Sequence, residues 1–111
     1  MSHMFRQGDV LIKRIDNPNP ARIGKPISRD KGRIVLAYGE VTGHTHAIAN
    51  RGAEAFMFGD NMLLRTTNPV VVRHEEHDPI VLESGDYEVI RQREFTDPTP
   101  LNRERFVYVA D

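Results

Sequence analysis

The chain of 111 residues, 39% hydrophobic and 28% charged, is sized for one domain with a single core and is too apolar to be disordered. It has no cysteine, which excludes disulfides, iron–sulfur clusters, thiolate zinc sites and cysteine nucleophiles, so any metal must be held by nitrogen and oxygen. A net charge of −1 is no footprint for general nucleic-acid binding, and no apolar run approaches the roughly 18 residues of a membrane span, so a cytoplasmic protein is expected.

Met1-Ser2-His3 reads as a cloning scar before a natural start at Met4, leaving 4–111 as one all-β domain. Residues 10–15, rich in branched side chains and following Gly8-Asp9, predict a strand. Residues 16–32 hold Pro18, Pro20, Gly24 and Pro26, and predict a surface loop. A second strand over 33–38 is closed by Gly39. Residues 44–49 then alternate, with His44, His46 and Ile48 on one face. After the turn Asn50-Arg51-Gly52, strands over 53–58 and 62–67 flank Gly59-Asp60-Asn61, a hairpin signal.

Val70-Val71-Val72 enters another strand, and Asp78-Pro79 breaks the chain before Ile80-Val81-Leu82. Ser84-Gly85-Asp86 turns into a longer strand over 87–95, and 106–109 form the last one. No segment keeps a helical period over three turns. About eight short strands at roughly ten-residue spacing predict an all-β fold, a compact small barrel or sandwich. Edge strands left by such a fold favour a homodimer that pairs them.

Twelve of the fifteen basic residues are Arg. That bias suits bidentate recognition of carboxylate or phosphate, and a GC-rich genome produces it equally well. Arg73, Arg91 and Arg93 are candidate anion holders, or surface charge alternating along strands.

The histidines are the most informative feature. Apart from His3 they fall in two motifs, Gly43-His44-Thr45-His46 and His74-Glu75-Glu76-His77. Residues i and i+2 of a strand point the same way about 6.5–7 Å apart, and two imidazoles so placed can converge on one ion about 2.0–2.1 Å from each nitrogen. An i, i+3 pair on a regular strand faces opposite ways, so His74 and His77 reach one site only if the segment turns or bulges. Imidazole with carboxylate and no sulfur suits a divalent transition metal such as Zn, Fe, Mn or Ni. The expected ligands are His44, His46, His74 and His77. Glu40, Glu75 and Glu76 are the candidates for general base or for completing the shell.

A short all-β chain carrying Gly39, His44-Thr45-His46, Glu54 and Gly59 resembles the first motif of the cupin family. The resemblance implies a metal inside a small barrel, held by His44 and His46, by Glu54, and by His74 or His77 as the late histidine. The interval from His46 to Glu54 is longer than that pattern, and no Pro-x-Gly precedes the second motif.

These readings favour a metal-binding protein, with hydrolysis or other metal chemistry on a small molecule open to it. One alternative is a metal-independent phosphodiesterase using paired histidines as acid and base on RNA or nucleotides. The other is a non-catalytic module whose histidines order two loops for a protein or RNA partner.

Overall fold

The computed structural model describes residues 4–38 and 44–91. Ten strands run in chain order: β1 (Met4–Gln7), β2 (Val10–Ile15), β3 (Ile23–Ile27), β4 (Ile34–Tyr38), β5 (Thr45–Ile48), β6 (Ala53–Phe58), β7 (Asn61–Thr66), β8 (Val70–Arg73), β9 (Ile80–Leu82) and β10 (Gly85–Arg91). A single turn of 3-10 helix, Pro20–Arg22, precedes β3 and is the only helix among the described residues. The protein is all-β.

The strands form two antiparallel sheets. The larger is ordered β1-β2-β10-β7-β6-β3, the smaller β4-β5-β8-β9. Their apolar faces meet. Val10, Ile12, Tyr87, Val89, Met62, Leu64, Ala53 and Ala55 come from the larger sheet, and Ile34, Leu36, Ile48, Val70, Val72 and Leu82 from the smaller. Strand alternation produces this arrangement: one residue in two points inward. Each fully buried Ile or Leu, such as Ile12, Ile48, Leu64 or Leu82, contributes about 1.5–3 kcal/mol of transfer free energy. The result is a sandwich, within the expected fold class.

Three elements differ from the sequence reading. Residues 23–27 are not loop but the edge strand β3, paired to β6 with a shift of register between Ile23 and Pro26. Proline lacks an N–H, and an edge strand with one unpaired side tolerates that loss. The strand β1 was not anticipated; it pairs with β2 across the two-residue turn Gly8-Asp9. This turn has the same residue pair, and the same φ of 60° at its glycine, as the turn Gly59-Asp60 between β6 and β7. Finally, β10 begins at Gly85. Residues 92–95 of the expected strand, and the expected strand over 106–109, lie outside the described residues.

Two sheet features matter for the site. All four residues of β5 are buried, but on two sides: Ile48 joins the core and His46 is paired with core Ala37, while Thr45 and Ala47 line a groove with Arg33 and Arg73. The pairing of β5 with β8 matches Ala47 to Arg73 and Ile48 to Val72. One step further along that ladder, His46 comes beside His74.

Candidate metal centre

Continuing the β5–β8 register past the end of β8 sets three pairs side by side. The His46 and His74 rings lie 4.2 Å apart. The Thr45 N–H donates to Glu75 Oε1 at 2.9 Å. His44 Nδ1 lies 3.5 Å from Glu76 Oε2. The chain leaves strand geometry at His74 and turns before Ile80, which brings His77 back. Its ring centroid lies 4.6 Å from that of His74 and 6.0 Å from that of His46. His44 meets His74 edge-on at 5.6 Å. All four imidazoles therefore form one contiguous cluster at one end of the smaller sheet.

The turn between β1 and β2 closes this cluster. An added Cβ on Gly8 would sit 2.8 Å from His77 Nε2 and 3.1 Å from His46 Cε1. With φ at +60° as well, the position is suited to glycine on two independent grounds. On either side of Gly8, Gln7 and Asp9 reach His46. Gln7 is buried, and its amide Nε2 donates to Val72 O at 3.1 Å and Asp78 O at 2.8 Å. With both N–H groups so used, its Oε1 is left to face His46 Nδ1 at 2.8 Å. An amide oxygen only accepts, so Nδ1 must carry the proton. Flipping the amide would set its oxygen against two carbonyl oxygens.

That tautomer directs the other ring nitrogen. His46 Nε2 lies 3.4 Å from Asp9 Oδ1, with the imidazole almost fully buried. This is longer than the roughly 2.7–2.9 Å of a charge-assisted hydrogen bond. It is close to the separation, about 3.4 Å, of two donors on a tetrahedral ion with bonds of about 2.0–2.1 Å. A nearly buried imidazole nitrogen this close to a carboxylate suits a proton or a cation between them.

His74 is held differently. Its Nδ1 accepts the Glu76 backbone N–H at 3.0 Å, so the neutral ring carries its proton on Nε2. Burial and then the neighbouring His77 push its pKa below the ordinary 6.5, with Glu75 opposing. Charging a ring amid three others is unfavourable, so the centre of the cluster favours neutral imidazole. Glu75 is an exposed carboxylate held below its ordinary pKa chiefly by the Thr45 N–H.

One ligand atom from each of His44, His74 and Glu75 lies within 4.8 Å of the other two. Ligation there asks these side chains to close by about 1.5 Å, and it asks His74 to give up the Glu76 N–H, whether Nδ1 itself ligates or takes over the proton of a ligating Nε2. His46 and His77 stand behind them as further nitrogen donors.

Of the residues the sequence singled out, His44, His46, His74, His77, Glu75 and Glu76 are brought together. Glu40 lies outside the described residues. Glu54, which the cupin resemblance added, is not in the cluster; it is exposed on β6 and lines a separate groove with Pro26, Ile27, Arg29 and Ile34. Missed altogether were Gln7, Gly8 and Asp9. The signal for them was the Gly-Asp pair at 8–9, a hairpin turn followed by a strand.

The fold and this cluster define a class: a β-sandwich with an imidazole-lined end. The chain belongs to the family described as Domain of unknown function (DUF8820), whose model matches residues 6–92, from just before Gln7 to just after β10. No curated protein and no solved structure matches it. Among the described residues, no helix is long and apolar enough to cross a membrane.

Proposed function

We propose that the histidine end of the sandwich binds a divalent transition metal, with His44, His74 and Glu75 nearest a common point and His46 and His77 as additional donors. The observation that carries this reading is the packing of four imidazoles into one cluster, each neighbouring pair of rings 4.2–5.6 Å apart. Burial and the adjacent His77 hold His74 below the ordinary imidazole pKa, which favours unprotonated nitrogen at the centre of the cluster, and such nitrogen is a metal ligand. A buried amide fixing the tautomer of His46 fits the same reading, because ligating histidines commonly donate their other N–H to an oxygen. A metal held here would supply a water of lowered pKa, and Glu76, 3.5 Å from His44, would be the carboxylate beside it able to take up or return a proton. The protein is then a metal-dependent enzyme or sensor of a small molecule.

The experiment is elemental analysis of protein prepared without nickel resin, followed by titration of the stripped chain with Zn and Co. About one equivalent of bound metal is expected, with His74→Ala weakening binding at least tenfold. Less than a tenth of an equivalent, or binding unchanged in His74→Ala, overturns the reading.

A metal-free acid–base role is favoured by one specific observation, the His46–Asp9 contact, which suits an imidazolium held by a carboxylate. Turnover of an RNA or cyclic-nucleotide substrate that survives EDTA would select this role; loss of activity in EDTA excludes it.

A further inference from the structure

On the outer face of the smaller sheet, directly beside the cluster, lies a groove of about 260 Å³ lined by Arg33, Thr45, Ala47, Ala49, Arg73, His74 and Glu75. Its floor is small and apolar, because Ala47 and Ala49 leave room that larger side chains would fill. Arg33 and Arg73 are its two guanidinium groups. Arg33 donates to Thr45 Oγ1 at 3.1 Å, which anchors the side chain while engaging, among the described residues, one of its five N–H groups. Arg73 makes no hydrogen bond or ion pair among the described residues. Its position is set by the β5–β8 register, which pairs it with Ala47.

We propose that this groove binds the oxyanion end of a small molecule, a carboxylate or a phosphate, between Arg33 and Arg73, with the rest of the molecule reaching His74 and Glu75. Guanidinium groups present paired N–H donors that match two oxygens of either anion. A volume just under the roughly 300–1,000 Å³ of drug-sized sites favours a small molecule over a polymer. The identity of the reacting end rests on the metal reading, since His74 and Glu75 belong to both the groove and the proposed ligand set. The anion subsite itself stands on the arginines. Glu75 is the one carboxylate in the lining and repels an anion, so cation binding at Glu75 should tighten anion binding.

The test is calorimetric titration of the full chain, metal-free and zinc-loaded, with inorganic phosphate and with succinate. Binding of at least one probe is expected in both forms, tighter with zinc. Arg73→Gln and Arg33→Gln should each weaken it about tenfold, the size of a lost hydrogen bond to a charged group. Arg73→Lys should fall between, and Arg51→Gln, on the exposed turn before β6, should change nothing. Arg33→Lys, which keeps a donor for Thr45, serves if Arg33→Gln does not fold. Binding of phosphate alone marks a phosphorylated ligand, and binding of succinate alone a carboxylate. Anion binding that depends on the arginines in a protein that takes up no zinc upholds this subsite and overturns the metal reading. Absence of binding by both probes in both forms, or arginine variants that bind like wild type, overturns the subsite even where zinc binds.

Discussion

The two sides of the histidine cluster are built on opposite principles. On the inner side, His46 is almost fully buried, and its orientation is dictated by Gln7, which is itself tied to Val72 O and Asp78 O. On the outer side, His44 is half-buried, Glu75 and Glu76 are exposed, and the contacts run through single hydrogen bonds to the segment following β8. The inner side is set before any ligand arrives; the outer side, exposed and lightly bonded, is less constrained. A site that joins a fixed donor to adaptable ones can take up a ligand without disturbing the sandwich that supports it. Substitutions should therefore separate cleanly. Inner changes cost stability first, and outer changes cost binding first.

The largest effect is expected at Gln7. Gln7→Leu strands three polar groups, the buried Val72 carbonyl and His46 Nδ1–H and the part-buried Asp78 carbonyl. Each loss costs about 1–3 kcal/mol, so denaturant unfolding should register a total of about 3 kcal/mol or more. A loss below about 1 kcal/mol would show that this amide does not organise the inner side. Gly8→Ala comes next. It combines an unfavourable positive φ with a Cβ 2.8 Å from His77 Nε2, and a loss of about 2 kcal/mol is expected. Gly32→Ala is the control, since φ there is +83° but nothing lies within 4 Å of the new methyl. It should cost only the backbone part, about 1 kcal/mol. Equal losses in the two variants would mean that the histidine rings do not press on the β1–β2 turn.

The two histidine motifs are legible in the sequence, and the β1–β2 support behind His46 is not. The alternation over residues 44–49 placed His46 with Ile48, and Asp78-Pro79 signalled the break that lets His77 return. Convergence of the two motifs depends on the pairing of Ala47 with Arg73, a long-range choice of register that local pattern does not encode. Gln7 and Asp9 stayed hidden because β1 is four residues, Met-Phe-Arg-Gln, with no β-branched member. Gly8-Asp9 therefore reads as a lead-in rather than a turn, although the same pair at 59–60, flanked by two longer strands, gives a plain hairpin signal. Glycine and proline at 24 and 26 masked β3, because strand propensity describes central strands better than edges.

A smaller effect is expected from acid. His74 has a folded pKa below 6.5, lowered by burial and by His77. As pH falls through about 6.5 the unfolded chain takes up a proton that the folded chain refuses, so stability declines until the folded value is reached. Glu75, held below 4.5 by the Thr45 N–H, acts in the same direction lower down, stabilising above about 4.5 and losing that contribution as pH falls through its folded value. The stripped protein should thus show a shallow fall in melting temperature from pH 7 to pH 5, partly abolished in His74→Gln. A profile that is flat, or that rises toward acid, would mean that the cluster does not exclude charge. Zinc should steepen the fall, because protons then compete with the ion for the same nitrogens.

The smallest effect on folding, and the sharpest test of the contrast, is Glu75→Gln. Glutamine keeps an oxygen to accept the Thr45 N–H and removes only the charge. Because this carboxylate is exposed, solvent already screens it, and the unfolding midpoint at pH 7 should stay within error of wild type. Zinc affinity should nevertheless drop by about tenfold, since a neutral amide is a far poorer ligand than a carboxylate. If the midpoint moves while the affinity does not, Glu75 serves the fold rather than the ion. The cation would then have to be sought on the inner side, between His46 Nε2 and Asp9, where the 3.4 Å gap already has the span of two ligands on one metal.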